Sequence, residues 1–291
     1  MKAPAFAYAR ATSVDNVLEM LSVHGDKAKL LSGGQSLLPA MNLRLISPEI
    51  VIDIGDLAEL RGMVVRDGVL SVGALTRHVD LLESPDIATF APLVAEAARH
   101  VAHPAIRNRG TIGGSLAHAD PAAELPACMI ALDAIMVVRG RSGERRIAAG
   151  NFFQGIFATA LSAEELLVSI ELPIARGPST HFFHEFARRH GDYALAGVAA
   201  HARVDRQVIS ELRMVFFAVA DKPVLAKAAT RLLNVTATPE LISGAAETFG
   251  DELDPPGDRL ASADLRRHLA KVLFRRCAEA LVATESVRAP Q

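Results

Sequence analysis

The sequence predicts an α+β fold: two small subdomains followed by a domain in which an antiparallel sheet carries a layer of helices. Three observations predict it. Strand-like and helix-like segments alternate over the first 57 residues. An Asp-Gly turn then joins two short apolar runs in a hairpin pattern. Late in the chain, three long strand-like runs precede three helical segments. We place the three units at residues 1–57, 58–174 and 179–287, which suits a chain of 291 residues.

The first unit begins with a predicted strand at residues 6–10. Ser13 is well placed to cap a helix that ends at Gly25, and the apolar residues that follow Ser13 recur on one helical face. Further strands are predicted at residues 28–31 and 50–54, with a glycine-rich segment between them.

The second unit opens with the hairpin, whose strands we place at residues 63–65 and 69–72. Thr76 is a predicted helix cap, and Pro92 and Pro121 each fit the first turn of a helix. The predicted helices are 76–82, 93–101 and 121–132, and the predicted strands are 134–138 and 166–172.

The third unit follows a linker at residues 175–179, where Gly-Pro-Ser interrupts the regular patterns. Its strands are predicted at residues 180–187, 193–204 and 208–219, and its helices at residues 223–233, 239–249 and 262–283.

Two glycine-rich segments carry the functional prediction. Gly33 and Gly34 lie between two serines, and Gly113 and Gly114 lie between Thr111 and Ser115. Glycine lets consecutive backbone N–H groups converge on an anion, and hydroxyls add donors. Neither segment fits G-x-G-x-x-G or G-x-x-x-x-G-K-[ST], so the usual nucleotide-binding motifs are excluded. We expect two loops that hold one pyrophosphate, against the alternative that both are structural turns.

Three ordered stretches carry a resemblance. They are SGGQSLLPAMNLRL from Ser32, RNRGTIGGSLAHADPAAELPA from Arg107 and FARRHGDYALAGVAA from Phe186. Together they resemble the FAD-binding medium subunit of the molybdenum hydroxylase family, which includes aerobic carbon monoxide dehydrogenase and xanthine dehydrogenase. The resemblance implies an FAD-binding region of the vanillyl-alcohol-oxidase or PCMH type, with FAD extended between the first two subdomains and its pyrophosphate held by both glycine segments.

The resemblance also implies individual cofactor contacts. Glu124 stands where the family uses a carboxylate, although it also suits the first turn of a helix. Asp120 is a further candidate for a cofactor contact, but its position before Pro121 makes it equally plausible as a helix N-cap. Tyr193 stands where the family places an aromatic near the flavin ring. The alternative is that Tyr193 is an ordinary aromatic residue of a strand. The full predicted contact set is Leu31, Ser32, Gly33, Gly34, Gln35, Ser36, Leu37, Leu38, Val101, Ala102, Ile106, Gly110, Thr111, Ile112, Gly113, Gly114, Ser115, Glu124, Leu167 and Tyr193.

One position departs from the family. A lysine often precedes the basic pair Arg188-Arg189 near the flavin, whereas this chain has His184 and Glu185 there. A positive charge near the flavin stabilises its reduced, anionic form. We expect His184 or Arg188 to supply that charge instead.

By resemblance, the chain is an oxidoreductase subunit that passes electrons from iron–sulfur clusters through FAD to a quinone, NAD or oxygen. Its expected partners are a large molybdopterin-binding subunit and a small iron–sulfur subunit, in a heterotrimer or a dimer of heterotrimers. Two alternatives are a free-standing FAD-dependent oxidoreductase and a non-catalytic assembly module. The flavin does the redox chemistry, so we expect no catalytic side chain beyond a flavin-proximal Tyr193.

Composition and hydropathy argue against a nucleic-acid partner, a metal site and a membrane span. A net charge of −2 gives no broad basic surface for nucleic acid. Cys128 and Cys277 are the only cysteines, too few to hold an iron–sulfur cluster or a zinc ribbon, and the histidine pairs lack further ligands, so we expect no metal site. No segment approaches the roughly 20 apolar residues of a transmembrane helix. We therefore expect a cytoplasmic protein.

Overall fold

The computed structural model of the protein describes residues 2–283, so residues 284–287 of the predicted third unit lie outside it. The first region forms a parallel sheet of order β1-β3-β2. Ser13 accepts a hydrogen bond from Asn16 N at 3.1 Å and caps α1, as predicted. The elements are β1 (Ala7–Arg10), α1 (Val14–His24), β2 (Ala28–Leu31), α2 (Leu37–Asn42) and β3 (Ile50–Asp53).

The second region holds an antiparallel sheet of order β4-β5-β10-β6-β7, with helices covering it. The predicted hairpin is confirmed. Its strands are β4 (Met63–Arg66), β5 (Val69–Gly73), β6 (Ile135–Gly140), β7 (Gly143–Ala148), β8 (Phe153–Gly155), β9 (Ala158–Thr159) and β10 (Leu166–Pro173). Its helices are α3 (His78–Glu83), α4 (Pro85–Phe90), α5 (Pro92–His100), α6 (Pro104–Arg107), α7 (Ile112–His118), α8 (Glu124–Ala131) and α9 (Ala149–Phe152).

The third region is a four-stranded sheet of order β11-β12-β13-β14. One face packs against α10 and α11 through the core that contains Phe182 and Phe186. The opposite face contributes Phe183 and Phe217 to the core of the second region, beside α5 and α8. The elements are β11 (Thr180–Ala187), β12 (Ala194–Asp205), β13 (Val208–Phe217), β14 (Val224–Leu225), α10 (Pro239–Asp251) and α11 (Ala263–Ala283). This sheet therefore joins the third region to the second.

Several predicted element boundaries are wrong. Thr76 does not cap a helix: its hydroxyl donates to Gly62 O at 3.3 Å, and α3 begins two residues later. The helix predicted to start at Pro121 starts at Glu124 instead, because Asp120 closes a turn by accepting from Ala122 N at 2.9 Å. The helix predicted at residues 223–233 is a short strand followed by a 3₁₀ turn.

Gly197 in β12 gives a stability prediction for the third region. It pairs with Phe217 across the sheet, and a Cβ at Gly197 would lie 2.0 Å from that aromatic ring. We expect Gly197→Ala to lower the free energy of unfolding by about 1–3 kcal/mol, the usual cost of overpacking. Urea denaturation measures this loss. Gly150→Ala is the control, since a Cβ there meets no atom of the described residues 2–283 within 4 Å, and an equal loss in both variants would contradict the prediction.

Candidate cofactor site

The two glycine segments lie against each other. A Cβ at Gly33 would stand 2.3 Å from the carbonyl oxygen of Arg109 and 2.7 Å from Cα of Gly110. The Thr111 hydroxyl donates to Ser32 Oγ at 3.2 Å. A Cβ at Gly114 would lie 2.7 Å from the same Ser32 oxygen. We call residues 31–38 and 110–115 together the glycine crevice. Its two sides come from the first and second regions of the chain.

The first segment presents free backbone donors. Among residues 2–283, no acceptor is found for the amides of Gly33, Gly34, Gln35 and Ser36. Gly34 has φ 71°, so the backbone reverses its handedness within the run. Successive amides in such a mixed-handed turn form a concave nest that binds anions. The Gln35 side chain donates to Gly33 O at 3.0 Å and fixes the turn. The chain then enters α2.

The second segment is a helix start rather than the predicted loop. Thr111 caps α7, and its hydroxyl oxygen accepts from Gly114 N at 3.1 Å. The amides of Ile112 and Gly113 donate to Thr76 O and Ala74 O, and the Ser115 amide donates to Thr111 O. In the described part of the chain, the Thr111 amide is the one in this segment that has no acceptor. The segment therefore offers one amide and the hydroxyls of Thr111 and Ser115.

Close packing explains the glycines of α7. A Cβ at Gly113 would lie 2.6 Å from both Cβ and the carbonyl oxygen of Ala74, so the helix can approach the end of β5 only with glycine there. Ala74 N in turn donates to Val168 O in β10. Leu167, the predicted contact in this strand, is buried in the core of the second region. Packing against β5 and β10 thus holds the second side of the crevice in place.

The predicted adenine wall lies at the end of α5. The Arg107 guanidinium donates to Val101 O at 2.9 Å and to Ala102 O at 3.0 Å, which holds this turn against α6. Ile106 lies within α6 and is partly buried. A Cβ at Gly191 would lie 2.7 Å from Ala102 O, so the segment before β12 reaches this wall. The wall connects the crevice with the third region.

Glu124 and Tyr193 lie near each other beyond the crevice. Glu124 begins α8, where burial, followed by the charge of Glu185, raises the pKa of its carboxyl to about 8. Tyr193 directly precedes β12 and is 65% exposed. Partial burial and the charges of Asp120 and Glu124 raise the pKa of the Tyr193 phenol. An open cleft of about 280 Å³ runs past Asp120 and Tyr193 to Arg266 in α11.

His184 and Arg188 are the two residues predicted to supply a positive charge near the flavin. Burial, followed by the charge of the neighbouring Arg276, lowers the pKa of His184 and so disfavours the cationic form of this imidazole. Arg188 is exposed. Within residues 2–283, no cluster of three or more metal-ligating side chains is found.

Two side chains near the site, His78 and Glu185, had no predicted role in it. His78 lies against Gly110, and burial, which outweighs an opposing contact with the Thr111 backbone, lowers its pKa to about 4. Glu185 lies 3.3 Å from His100, with its side chain 4% exposed. Strand alternation puts Glu185 on the same face as the buried Phe183, which was the available signal for Glu185. No sequence pattern marks His78.

Comparison with known proteins identifies the family. A family model described as the FAD binding domain in molybdopterin dehydrogenase matches residues 4–175. A second, the CO dehydrogenase flavoprotein C-terminal domain, matches residues 181–281. The 6-hydroxypseudooxynicotine dehydrogenase complex subunit alpha of Paenarthrobacter nicotinovorans is 38% identical over 95% of this chain and 94% of its own length. The carbon monoxide dehydrogenase medium chain of Hydrogenophaga pseudoflava is 36% identical over 95% of this chain and 97% of its own length.

Solved structures agree with this result. Carbon monoxide dehydrogenase from Hydrogenophaga pseudoflava superposes with a TM-score of 0.95 at 37% identity, over 97% of this chain and 99% of the matched chain. Quinoline 2-oxidoreductase from Pseudomonas putida 86 gives 0.91 at 37% identity, with the same coverage of both chains. The chain belongs to the family of FAD-binding medium subunits of molybdenum-containing hydroxylases and dehydrogenases.

Family membership establishes the predicted function, enzyme class, cofactor and partner subunits. The chain is an FAD-carrying electron-transfer subunit of an oxidoreductase, and it works with a large and a small partner subunit. The predicted α+β fold class is confirmed as well. No helix within residues 2–283 is long and apolar enough to cross a membrane.

Proposed function

We propose that the glycine crevice holds the pyrophosphate of FAD. The observation that carries the proposal is the run of amides from Gly33 to Ser36, which find no acceptor within the described residues 2–283 and are held in a turn that Gly34 makes possible. The hydroxyls of Ser32, Thr111 and Ser115 flank this run. A diphosphate accepts hydrogen bonds on every side, and charge-assisted bonds of this kind are about twice as strong as neutral ones. The residues present therefore fit the group.

The remaining predicted contacts extend along the same surface. Val101, Ala102 and Ile106 wall the adenine side, and Glu124 accepts or donates hydrogen bonds at cofactor hydroxyls. Leu167 contributes through its backbone, and Tyr193 lies beside the flavin ring. This arrangement divides the chain into two FAD-binding subdomains, 1–57 and 58–174, and a C-terminal domain that begins at residue 179.

Bound FAD would supply the redox chemistry, namely electron transfer from iron–sulfur clusters on the small subunit to an external acceptor. The residues of this chain bind FAD, orient it and set its electrostatic surroundings. The large subunit carries the molybdopterin, and the assembly is a heterotrimer or a dimer of heterotrimers. We place the complex in the cytoplasm, which is supported by the two buried free thiols, Cys128 and Cys277.

The visible spectrum of the purified full-length chain tests this function. We expect a flavin absorption spectrum from the chain alone and about one FAD per chain released on denaturation. A folded chain that contains no flavin and takes up none from added FAD would contradict the proposal and favour a non-catalytic assembly module. Substrate turnover without partner subunits would instead favour a free-standing oxidoreductase.

A further inference from the structure

One guanidinium holds the turn that follows α5. The helix ends at His100, and the carbonyl groups of Val101 and Ala102 lie just beyond it. Carbonyl groups at the end of a helix have no partner within that helix. Nη1 of Arg107, at the end of α6, donates to Val101 O at 2.9 Å and to Ala102 O at 3.0 Å. In the described part of the chain, no other donor bonds to either oxygen.

The backbone of this turn needs such support. Ala102 has φ 43°, in the left-handed region that residues with a Cβ rarely adopt. A conformation of this kind persists only where the surrounding contacts hold it. The third region closes the other side of the turn, since a Cβ at Gly191 would lie 2.7 Å from Ala102 O. Arg107 and the segment at Gly191 therefore fix the direction of this carbonyl from two sides.

The glycine crevice is held by different contacts. Directly after α6, Gly110 N donates to Ile106 O at 2.7 Å, and Gly110 O accepts from His78 N at 3.0 Å. A Cβ at Gly33 would lie 2.7 Å from Cα of Gly110, so the two sides of the crevice meet through the backbone. The turn at Val101 thus depends on the Arg107 side chain, whereas the crevice depends on backbone bonds.

We propose that Arg107 is a positioning residue for the adenosine half of FAD, and that it acts by fixing the carbonyl groups of Val101 and Ala102. The inference rests on the proposed function, in which these two residues wall the adenine side of the cofactor. FMN carries the same flavin and one phosphate but has no adenosine for the wall to contact. Arg107 therefore sets the preference of this site for FAD over FMN.

Arg107→Met separates the two halves of the cofactor, because methionine offers no hydrogen-bond donor to the carbonyl groups. Isothermal titration calorimetry of the full-length chain freed of FAD measures the binding of three probes: FAD, ADP and FMN. We expect the variant to bind FAD and ADP at least about tenfold more weakly than the wild type, the loss that one hydrogen bond from a charged group accounts for. Its affinity for FMN should equal that of the wild type.

Arg99→Met is the matched control. Arg99 lies in the last turn of α5, is exposed, and forms no hydrogen bond or ion pair within residues 2–283. Its replacement removes the same charge close to the turn but leaves both carbonyl bonds in place, so we expect wild-type affinity for all three probes. Arg107→Lys keeps the charge on a flexible stem without the planar fork. We expect a smaller loss from it, again confined to FAD and ADP.

Two results would overturn the inference. An equal loss for FAD and FMN in Arg107→Met would show a general structural role, and unchanged affinity for FAD and ADP would show that the adenine wall does not need this side chain. Should Arg107→Met not fold, Arg107→Lys decides, and a loss that does not distinguish FAD from FMN is then the overturning result. A folded wild-type chain that binds no FAD refutes the proposed function itself, so the two failures differ in the wild-type titration.

Discussion

Gly33→Ala is expected to weaken FAD retention by about ten- to a hundredfold. The added Cβ would meet the carbonyl oxygen of Arg109 at 2.3 Å and Cα of Gly110 at 2.7 Å. Both are backbone atoms, so no side-chain rotation relieves the contact and the two sides of the crevice must separate. Overpacking of this kind costs about 1–3 kcal/mol, and a cost in the upper part of that range gives the expected loss in affinity. FAD titration of the apoprotein, followed by flavin fluorescence, measures it.

The cause of this effect can be isolated. Gly33 does not have a positive φ, so backbone strain does not contribute. Gly244→Ala, within α10, is the control because a Cβ there meets no atom within 4 Å in the part of the chain that the structure describes. It should leave FAD affinity unchanged and stabilise the chain by up to about 1 kcal/mol, since alanine favours helix more than glycine does. Full FAD affinity in Gly33→Ala would show that the crevice does not hold the cofactor.

Local sequence patterns predicted the elements whose signals are long or chemically specific. The three long strands of the third region and the helices α10 and α11 follow from runs of eight or more patterned residues. The start of α1 follows from a serine cap that the structure confirms. In each case the local preference and the tertiary packing favour the same conformation, so the sequence suffices.

The helix α7 was missed because its local and tertiary preferences disagree. A Gly-Gly pair opposes helix formation by about 1 kcal/mol per glycine, so the sequence favoured a loop. Two effects offset this cost: Thr111 caps the helix, and Gly113 allows close contact with Ala74. The error at Pro121 has a similar origin, since the preceding Asp120 closes a turn instead of capping a helix. Competing uses of one polar side chain are not visible in sequence.

At the site, the sequence predicted which segments meet but not which of their backbone amides remain free. The two glycine segments were predicted as a pair, and the structure brings them into contact. The prediction that both segments offer their amides in the same way was wrong. The carbonyl oxygens of Thr76 and Ala74 accept hydrogen bonds from the amides of Ile112 and Gly113, so most of the free amide donors lie in the first segment. Which amides remain free depends on strands that are distant in sequence.

The largest stability effect is expected from Arg266→Met. Arg266 is 5% exposed in α11, and one guanidinium nitrogen donates to Leu195 O at 2.7 Å and to Ala218 O at 2.9 Å. Another nitrogen binds Asp258 at 2.6 Å. This single side chain thus ties α11 to the start of β12, to the residue after β13 and to the loop before the helix. It also lines the cleft beside Tyr193.

Methionine would fill a similar volume but supply no donors. Each buried polar group left without a partner costs about 1–3 kcal/mol, so we expect Arg266→Met to lower the free energy of unfolding by about 3 kcal/mol. Equilibrium unfolding in urea, followed by circular dichroism, measures this loss. Arg267→Met is the control: its exposed partner Asp264 and its longer bond to Leu253 O, at 3.3 Å, predict a loss below about 1 kcal/mol. Equal losses in the two variants would show that the buried carbonyls do not depend on Arg266.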